Sequence, residues 1–242
     1  MTALGVIPAR FASTRFPAKV LADLGGKPVL QHVWEKAKRC MHIEDVLIAC
    51  DHPDILKAAA AFGAKAVMTR ANHASGSDRI AEAVRELKCD IVVNIQGDEP
   101  FIDPKTIDAL TVLLKNDVDL SMGTVIKEIT SDEEFANPNV VKCVVDEQGY
   151  ALYFSRAGIP FNRDAHGGKR YKHLGLYAYR KDFLLQYTQW PKSFLETTEQ
   201  LEQLRVLEKG YRIKTIITEY GSIAIDTVQD LKKAQEWLKQ SK

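Results

Sequence analysis

The first hundred residues alternate short apolar runs with longer stretches of helical periodicity, and few folds accept that pattern. Residues 4–7, 46–49, 64–68 and 91–95 read as strands, and residues 29–39, 53–62 and 78–87 as the helices between them. Val33, Trp34 and Ala37 share one side of the first helix; Ile80, Ala81, Val84 and Leu87 recur at helical spacing in the third. Strands separated by helices of this length need crossover connections, which are right-handed and produce a mostly parallel sheet. From about residue 120 the pattern changes. Residues 122–126, 140–145 and 151–154 are strand-like with no long helix between them, so a mixed or antiparallel subregion is inserted beside the parallel sheet. Residues 195–209 read as one helix, 213–217 and 223–225 as strands, and 227–239 as a terminal helix. With no internal repeat, low-complexity tract or Gly/Ser/Pro-rich linker, the 242 residues read as a single α/β domain.

In sheets of this kind ligands gather beyond the carboxyl ends of the strands, and two such ends here carry chemistry. The buried run Ile91, Val92, Val93 delivers Asn94, Ile95, Gln96, Gly97, Asp98, Glu99 and Pro100 into a turn. Two carboxylates at a strand end are poorly placed for core packing and well placed to hold a hard divalent cation against a phosphate. The same residues also suit a plain turn, although a turn does not account for Gln96, whose amide can bond a base or sugar edge. The loop after the first strand lacks the closely spaced glycines of a dinucleotide fingerprint. It carries Arg10, Ser13, Arg15 and Lys19 instead, spaced for a loop folding round an anion, with forked Arg donors and a mobile Lys charge; a solvated basic loop is the alternative. Asp226 precedes the terminal helix, where an aspartate is commonly an N-cap. If its strand runs parallel and next to that of Asp98, both carboxylates face one cleft, and magnesium shared with substrate phosphates follows. Ser75, Gly76, Ser77, Asp78 and Arg79 open a helix, as caps or as an anion or nucleobase site. Positive groups for a polyphosphate and acidic groups for its metal, both at strand ends, point to nucleotidyl transfer.

A net charge of +1 gives no bulk attraction to nucleic acid or anionic membrane, so the cations that matter are local. Cys40, Cys50, Cys89 and Cys143 have no paired spacing and read as reduced core thiols. No charged leader precedes a long apolar run and no run reaches membrane-spanning length. The expectation is a soluble cytoplasmic protein with no membrane or nucleic-acid partner.

The motifs IPARFASTRFPAK, NHASGSDR, NIQGDEPFI, YFSRAGIP, HLGLYAY, LETTEQLEQLR and IDTVQDL, in that order, resemble those of the 3-deoxy-manno-octulosonate (KDO) cytidylyltransferases across essentially the whole chain. The resemblance implies a nucleotide-diphospho-sugar transferase-like fold, with one cytidylyltransferase domain over 1–242 in which residues from about 120 to 215 supply the sugar pocket and homodimer contacts. By position, Arg10, Ser13, Arg15 and Lys19 would bind the CTP phosphates, Gln96 and the segment with Ser75, Ser77 and Arg79 the cytidine. Asp98 and Asp226 would hold Mg2+. Arg156, His173, Tyr177, Glu202 and Gln203 would form the sugar pocket, and Arg15, Lys19, Asp98 and Asp226 the catalytic group. The implied reaction is attack of the sugar's anomeric hydroxyl on the α-phosphorus of CTP. Two positions depart from the family: Ala18 stands where glycine is usual, and Val228 where proline is usual. The competing readings are a cytidylyltransferase for another acidic sugar such as sialate, and a nucleotide-binding dimer without activity.

Overall fold

The apolar run after Thr2 forms β1 (Ala3–Ala9) in the computed structural model, which describes residues 1–12, 16–164, 167–221 and 223–240. Chain order continues through α1 (Val29–Ala37), β2 (Asp45–Cys50), α2 (Pro53–Ala61), β3 (Lys65–Met68), α3 (Gly76–Val84), β4 (Ile91–Asn94) and α4 (Pro104–Asn116). The second half contains β5 (Met122–Glu128), α5 (Asp132–Ala136), β6 (Lys142–Val145), β7 (Ala151–Ser155), β8 (Tyr171–Arg180) and α6 (Lys181–Tyr187). It closes with α7 (Phe194–Glu199), α8 (Leu204–Glu208), β9 (Lys214–Ile217) and α9 (Val228–Gln240). Helix starts follow local chemistry. Ser75 accepts from Asp78 N–H at the head of α3, and Pro53 and Pro104 occupy first-turn positions where a missing N–H costs nothing.

The sheet runs β3-β2-β1-β4-β8-β5-β9. Its β3-β2-β1-β4 half is parallel; β8 lies antiparallel to both β4 and β5, and β6 pairs antiparallel with β7 and β8. The expected architecture, a parallel sheet with an inserted mixed subregion, is the one found. Because successive side chains on a strand face opposite ways, Ile7, Ile48 and Val93 pack with Leu30, Val33 and Leu110 on one face, while Val6, Ala49 and Val92 pack with Ile80, Val84 and Leu184 on the other. A third, smaller cluster of Leu24, Val29, Phe101, Ile225 and Ala234 lies under α9.

Two expectations are corrected. Residues 195–209 are two short helices rather than one, with Gln200 left-handed at φ 53° between them. The break brings Arg205 back onto Glu196 in a buried two-pronged ion pair (2.6 and 2.7 Å) and lets Leu201 and Leu204 enter the second core together. Residues 223–225 form no ladder among the described residues. Ile225 N–H donates instead to the carbonyl of Asp98 (2.9 Å), a turn rather than a strand edge.

Candidate active site

Neighbouring parallel strands end side by side, and that registers the two chemical loops. β1 pairs with β4 from Ala3 opposite Ile91 to Val6 opposite Asn94, so the basic segment leaving β1 and the acidic turn leaving β4 emerge together. Their contact is tight: a Cβ on Gly97 would lie 2.9 Å from the carbonyl oxygen of Pro8, which no substituted residue tolerates without a backbone shift. Lys19 follows Ala18, whose backbone is left-handed (φ 55°, ψ 26°), and opens a short 3-10 turn. That turn points the ammonium inward. Lys19 is buried, and its Nζ donates to Asp98 Oδ2 and, at 2.8 Å, to Asp226 Oδ1.

Asp98 and Asp226 thus meet on one cation although 128 positions separate them, as 226 − 98 gives. The expectation that they face one cleft holds; the expected parallel neighbouring strands do not, since the Ile225-to-Asp98 backbone bond does the joining. Burial acts to lower the Lys19 pKa, but the charges and hydrogen bonds of the two aspartates outweigh it and hold the ammonium above its ordinary value.

Beside this triad lies a cavity of about 290 Å³ lined by Arg10, Lys19, Ser75, Arg79, Gln96 and Asp98, with His73 at its edge. Gln96 Nε2 donates to the carbonyl of Gly175 (2.9 Å), tying the acidic turn to β8. Arg79 is committed to Asp51 (2.9 Å) and Thr69 (2.6 Å) in the buried wall. Asp51, a residue absent from the sequence-based site, also accepts from Phe11 N–H (2.8 Å) and so anchors the start of the basic loop. Nothing in the order of residues marks it, because its partners lie 40 and 28 positions away. Ser77 is buried and does not line the cavity. Ser13 and Arg15 lie outside the described residues.

The residues assigned to the sugar lie on β8, just beyond β7 and at the α7–α8 break. His173 and Tyr177 are ring neighbours (5.2 Å) on β8, and His173 Nε2 lies 3.0 Å from Thr124 Oγ1. Burial pushes His173 down to about 3, so its ring is neutral at ordinary pH, and holds the Tyr177 phenol well above its usual value. Glu202 accepts from Tyr187 O–H and from Ser75 Oγ (3.2 Å), which bridges it to the cavity; burial, above all, raises its pKa. Gln203 is 4% exposed, and its Nε2 has no hydrogen-bond partner among the described residues. Arg156 is engaged with the carbonyls of Glu199 (2.8 Å), Pro138 (3.1 Å) and Gln200 (3.4 Å), pinning the end of β7 to the α7–α8 break.

The donor set fits magnesium. Among the described residues no three His, Cys, Asp or Glu side chains converge as a self-sufficient metal cage. Two carboxylates do converge, and the Lys19 ammonium already between them shows that they accept a shared cation. Magnesium commonly takes one or two carboxylates and completes its shell with substrate phosphates and water.

A family model described as Cytidylyltransferase matches residues 4–216. A 3-deoxy-manno-octulosonate cytidylyltransferase of Solibacter usitatus is 51% identical over 239 residues, 98% of this chain and 95% of that protein. One of Geotalea uraniireducens is 48% identical over 250 residues, covering 99% of this chain and all (100%) of that protein. A solved structure of CMP:2-keto-3-deoxy-manno-octonic acid synthetase complexed with CTP matches with a TM-score of 0.96 at 41% identity, over 100% of both chains.

Proposed function

The chain belongs to the cytidylyltransferase family, among the 3-deoxy-manno-octulosonate cytidylyltransferases, and on that premise we propose how its cleft works. It transfers CMP from CTP to the anomeric hydroxyl of KDO, giving CMP-KDO and pyrophosphate for lipopolysaccharide biosynthesis. One observation carries the assignment of residues: Asp98 and Asp226 converge on a single cation at the mouth of a cavity lined by Arg10, Lys19 and Gln96.

The anomeric oxygen forms a bond to the α-phosphorus as the bond from that phosphorus to the α,β-bridging oxygen breaks in line, pyrophosphate leaves with that oxygen, and the hydroxyl proton passes to solvent water as the O–P bond forms. The protein's task is then positioning and charge stabilisation rather than covalent chemistry. Arg10 and Lys19, joined by Ser13 and Arg15, grip the triphosphate and offset charge building on the leaving pyrophosphate. Asp98 and Asp226 would hold magnesium, which would supply neutralisation of charge on the α-phosphate. The head of α3, with Ser75, and the Gln96 amide flank the cytidine. The buried Ser77 and Arg79, the latter through Asp51, act from behind that wall. The orphaned Gln203 amide offers a donor that a hydroxyl-rich sugar satisfies. Glu202, His173, Tyr177 and Arg156 complete the sugar side.

The same proposal includes a homodimer through the inserted region, supported by Leu152 on β7 and Phe161 beyond it, 61% and 86% exposed; sedimentation tests it. No helix among the described residues is long and apolar enough to cross a membrane, in keeping with the proposed cytoplasmic location. The direct test of substrate is pyrophosphate release from CTP with KDO and, separately, with sialate as acceptor. Release is expected with KDO, and preference for sialate would overturn the choice of sugar.

A further inference from the structure

Asp226 sits at the foot of α9, and the way that helix begins is unusual for this chain. Asp230 Oδ2 accepts three hydrogen bonds: from Thr227 Oγ1 (2.8 Å), from Thr227 N–H (2.9 Å) and from the N–H of Asp226 itself (3.2 Å). Asp230 N–H returns a bond to Thr227 Oγ1 (3.2 Å), which closes a reciprocal capping box. A box needs only the Thr227 and Asp230 bonds. The third one reaches past the helix and fixes the peptide that carries the Asp226 side chain.

The preceding peptide is fixed as well, by Ile225 N–H on the Asp98 carbonyl (2.9 Å). The body of α9 then docks on the elements that hold the other members of the triad. Leu231, Ala234 and Leu238 join the cluster of Leu24, Val29 and Phe101, and Trp237 lies 4.2 Å from Phe101, three residues beyond Asp98. Gly25 admits Leu238 so closely that a Cβ there would lie 2.6 Å from its Cδ2. The cluster under α9 therefore joins the hairpin behind Lys19 to the segment behind Asp98.

We infer that Asp230 is a positioning residue for the metal-holding carboxylate of Asp226, setting its backbone from the first turn of α9 without touching substrate or metal. This rests on the reading of Asp98 and Asp226 as the pair that holds the cation. A plain cap contributes to stability and nothing to metal affinity. A positioning residue changes metal affinity more than it changes stability.

The test is manganese binding to the protein with CTP, followed by electron paramagnetic resonance, alongside thermal unfolding and the magnesium dependence of the rate. Asp230→Ala is expected to weaken manganese binding by about tenfold and to raise the half-saturating magnesium similarly, with kcat largely recovered at saturating metal. Asp230→Asn, which keeps an acceptor oxygen, is expected to restore most of that affinity. Ser131→Ala, which removes the cap of α5 far from the triad, is expected to leave manganese binding unchanged. Should Asp230→Ala not fold, Asp230→Ser takes its place with the same expected weakening. Manganese affinity within twofold of the parent in Asp230→Ala or Asp230→Ser, with stability lowered, would make Asp230 a cap only and overturn the inference. Asp98→Asn in the same titration separates the premise: unaltered manganese binding there would overturn the metal reading itself, whatever Asp230 does.

Discussion

Ala18 holds a left-handed backbone immediately before the lysine on which both aspartates converge. An L-residue with a Cβ pays about 1–2 kcal/mol for that conformation, a cost that glycine would not carry. Ala18→Gly is expected to stabilise the protein by about 1 kcal/mol, seen as a melting temperature higher by roughly 2–4 °C; an unchanged or lower value would mean that the turn is not strained. Lys19→Met removes the ammonium from between Asp98 and Asp226 and leaves like charges facing each other. With Asp226 42% exposed, solvent screens part of the effect, so the cost is on the order of 2 kcal/mol rather than that of a fully buried pair. Added magnesium is expected to raise the melting temperature of Lys19→Met more than that of the parent. Equal shifts would argue against a shared cation. At this scale the placement of Asp98 and Gln96 in the cleft was legible because strand ends in a parallel sheet face it, and that of Lys19 because the basic segment leaving β1 starts from such an end. Asp51 was not, because its role is defined by partners that only folding brings near.

Among elements, the first half of the sheet was legible to within a few residues, since β1, β2 and β4 are largely buried on both faces and the helices carry local start signals. The misread elements are those whose conformation is set at a distance. A leucine spacing that fits one helix over 195–209 is equally satisfied by two helices folded about Gln200, and the Glu196–Arg205 pair accompanies the second arrangement. An apolar triplet at 223–225 looks like a strand, yet among the described residues it joins no ladder, and Ile225 N–H bonds the Asp98 carbonyl in the turn after β4, so an apolar run alone misassigns it. The meeting of two loops at Gly97 and Pro8 is the element-scale joint of the site. Gly97→Ala places a methyl 2.9 Å from a carbonyl oxygen and 3.3 Å from Ile7 Cγ2, and is expected to cost about 1–3 kcal/mol. Urea unfolding measures it, and a neutral result would show that the β1 and β4 loops yield independently.

Across the whole molecule, burial of a neutral imidazole gives stability a definite pH dependence. His173 is pushed from an ordinary 6.5 down to about 3 by burial. Below pH 6.5 the unfolded chain takes up a proton that the folded chain refuses, so stability falls as pH falls from about 6.5 toward 3, by up to about 1.4 kcal/mol per pH unit. Glu202 has the opposite sense: its carboxyl is raised, mainly by burial, so its contribution is present while it stays protonated and is lost as pH rises through its folded value. His173→Gln keeps a polar group near Thr124 and cannot titrate. The stability gap between parent and variant is therefore expected to shift by about 2–3 kcal/mol in the variant's favour between pH 6.5 and 4.5, read by urea unfolding at each pH; parallel curves would contradict the buried neutral ring. The central claim reaches from residue 10 to residue 226 and is tested most directly by anomalous diffraction from manganese in crystals grown with CTP. The account predicts a manganese peak between the carboxylates of Asp98 and Asp226, with Lys19 drawn toward the triphosphate. Manganese bound elsewhere, with Lys19 still shared by the two aspartates, would contradict it.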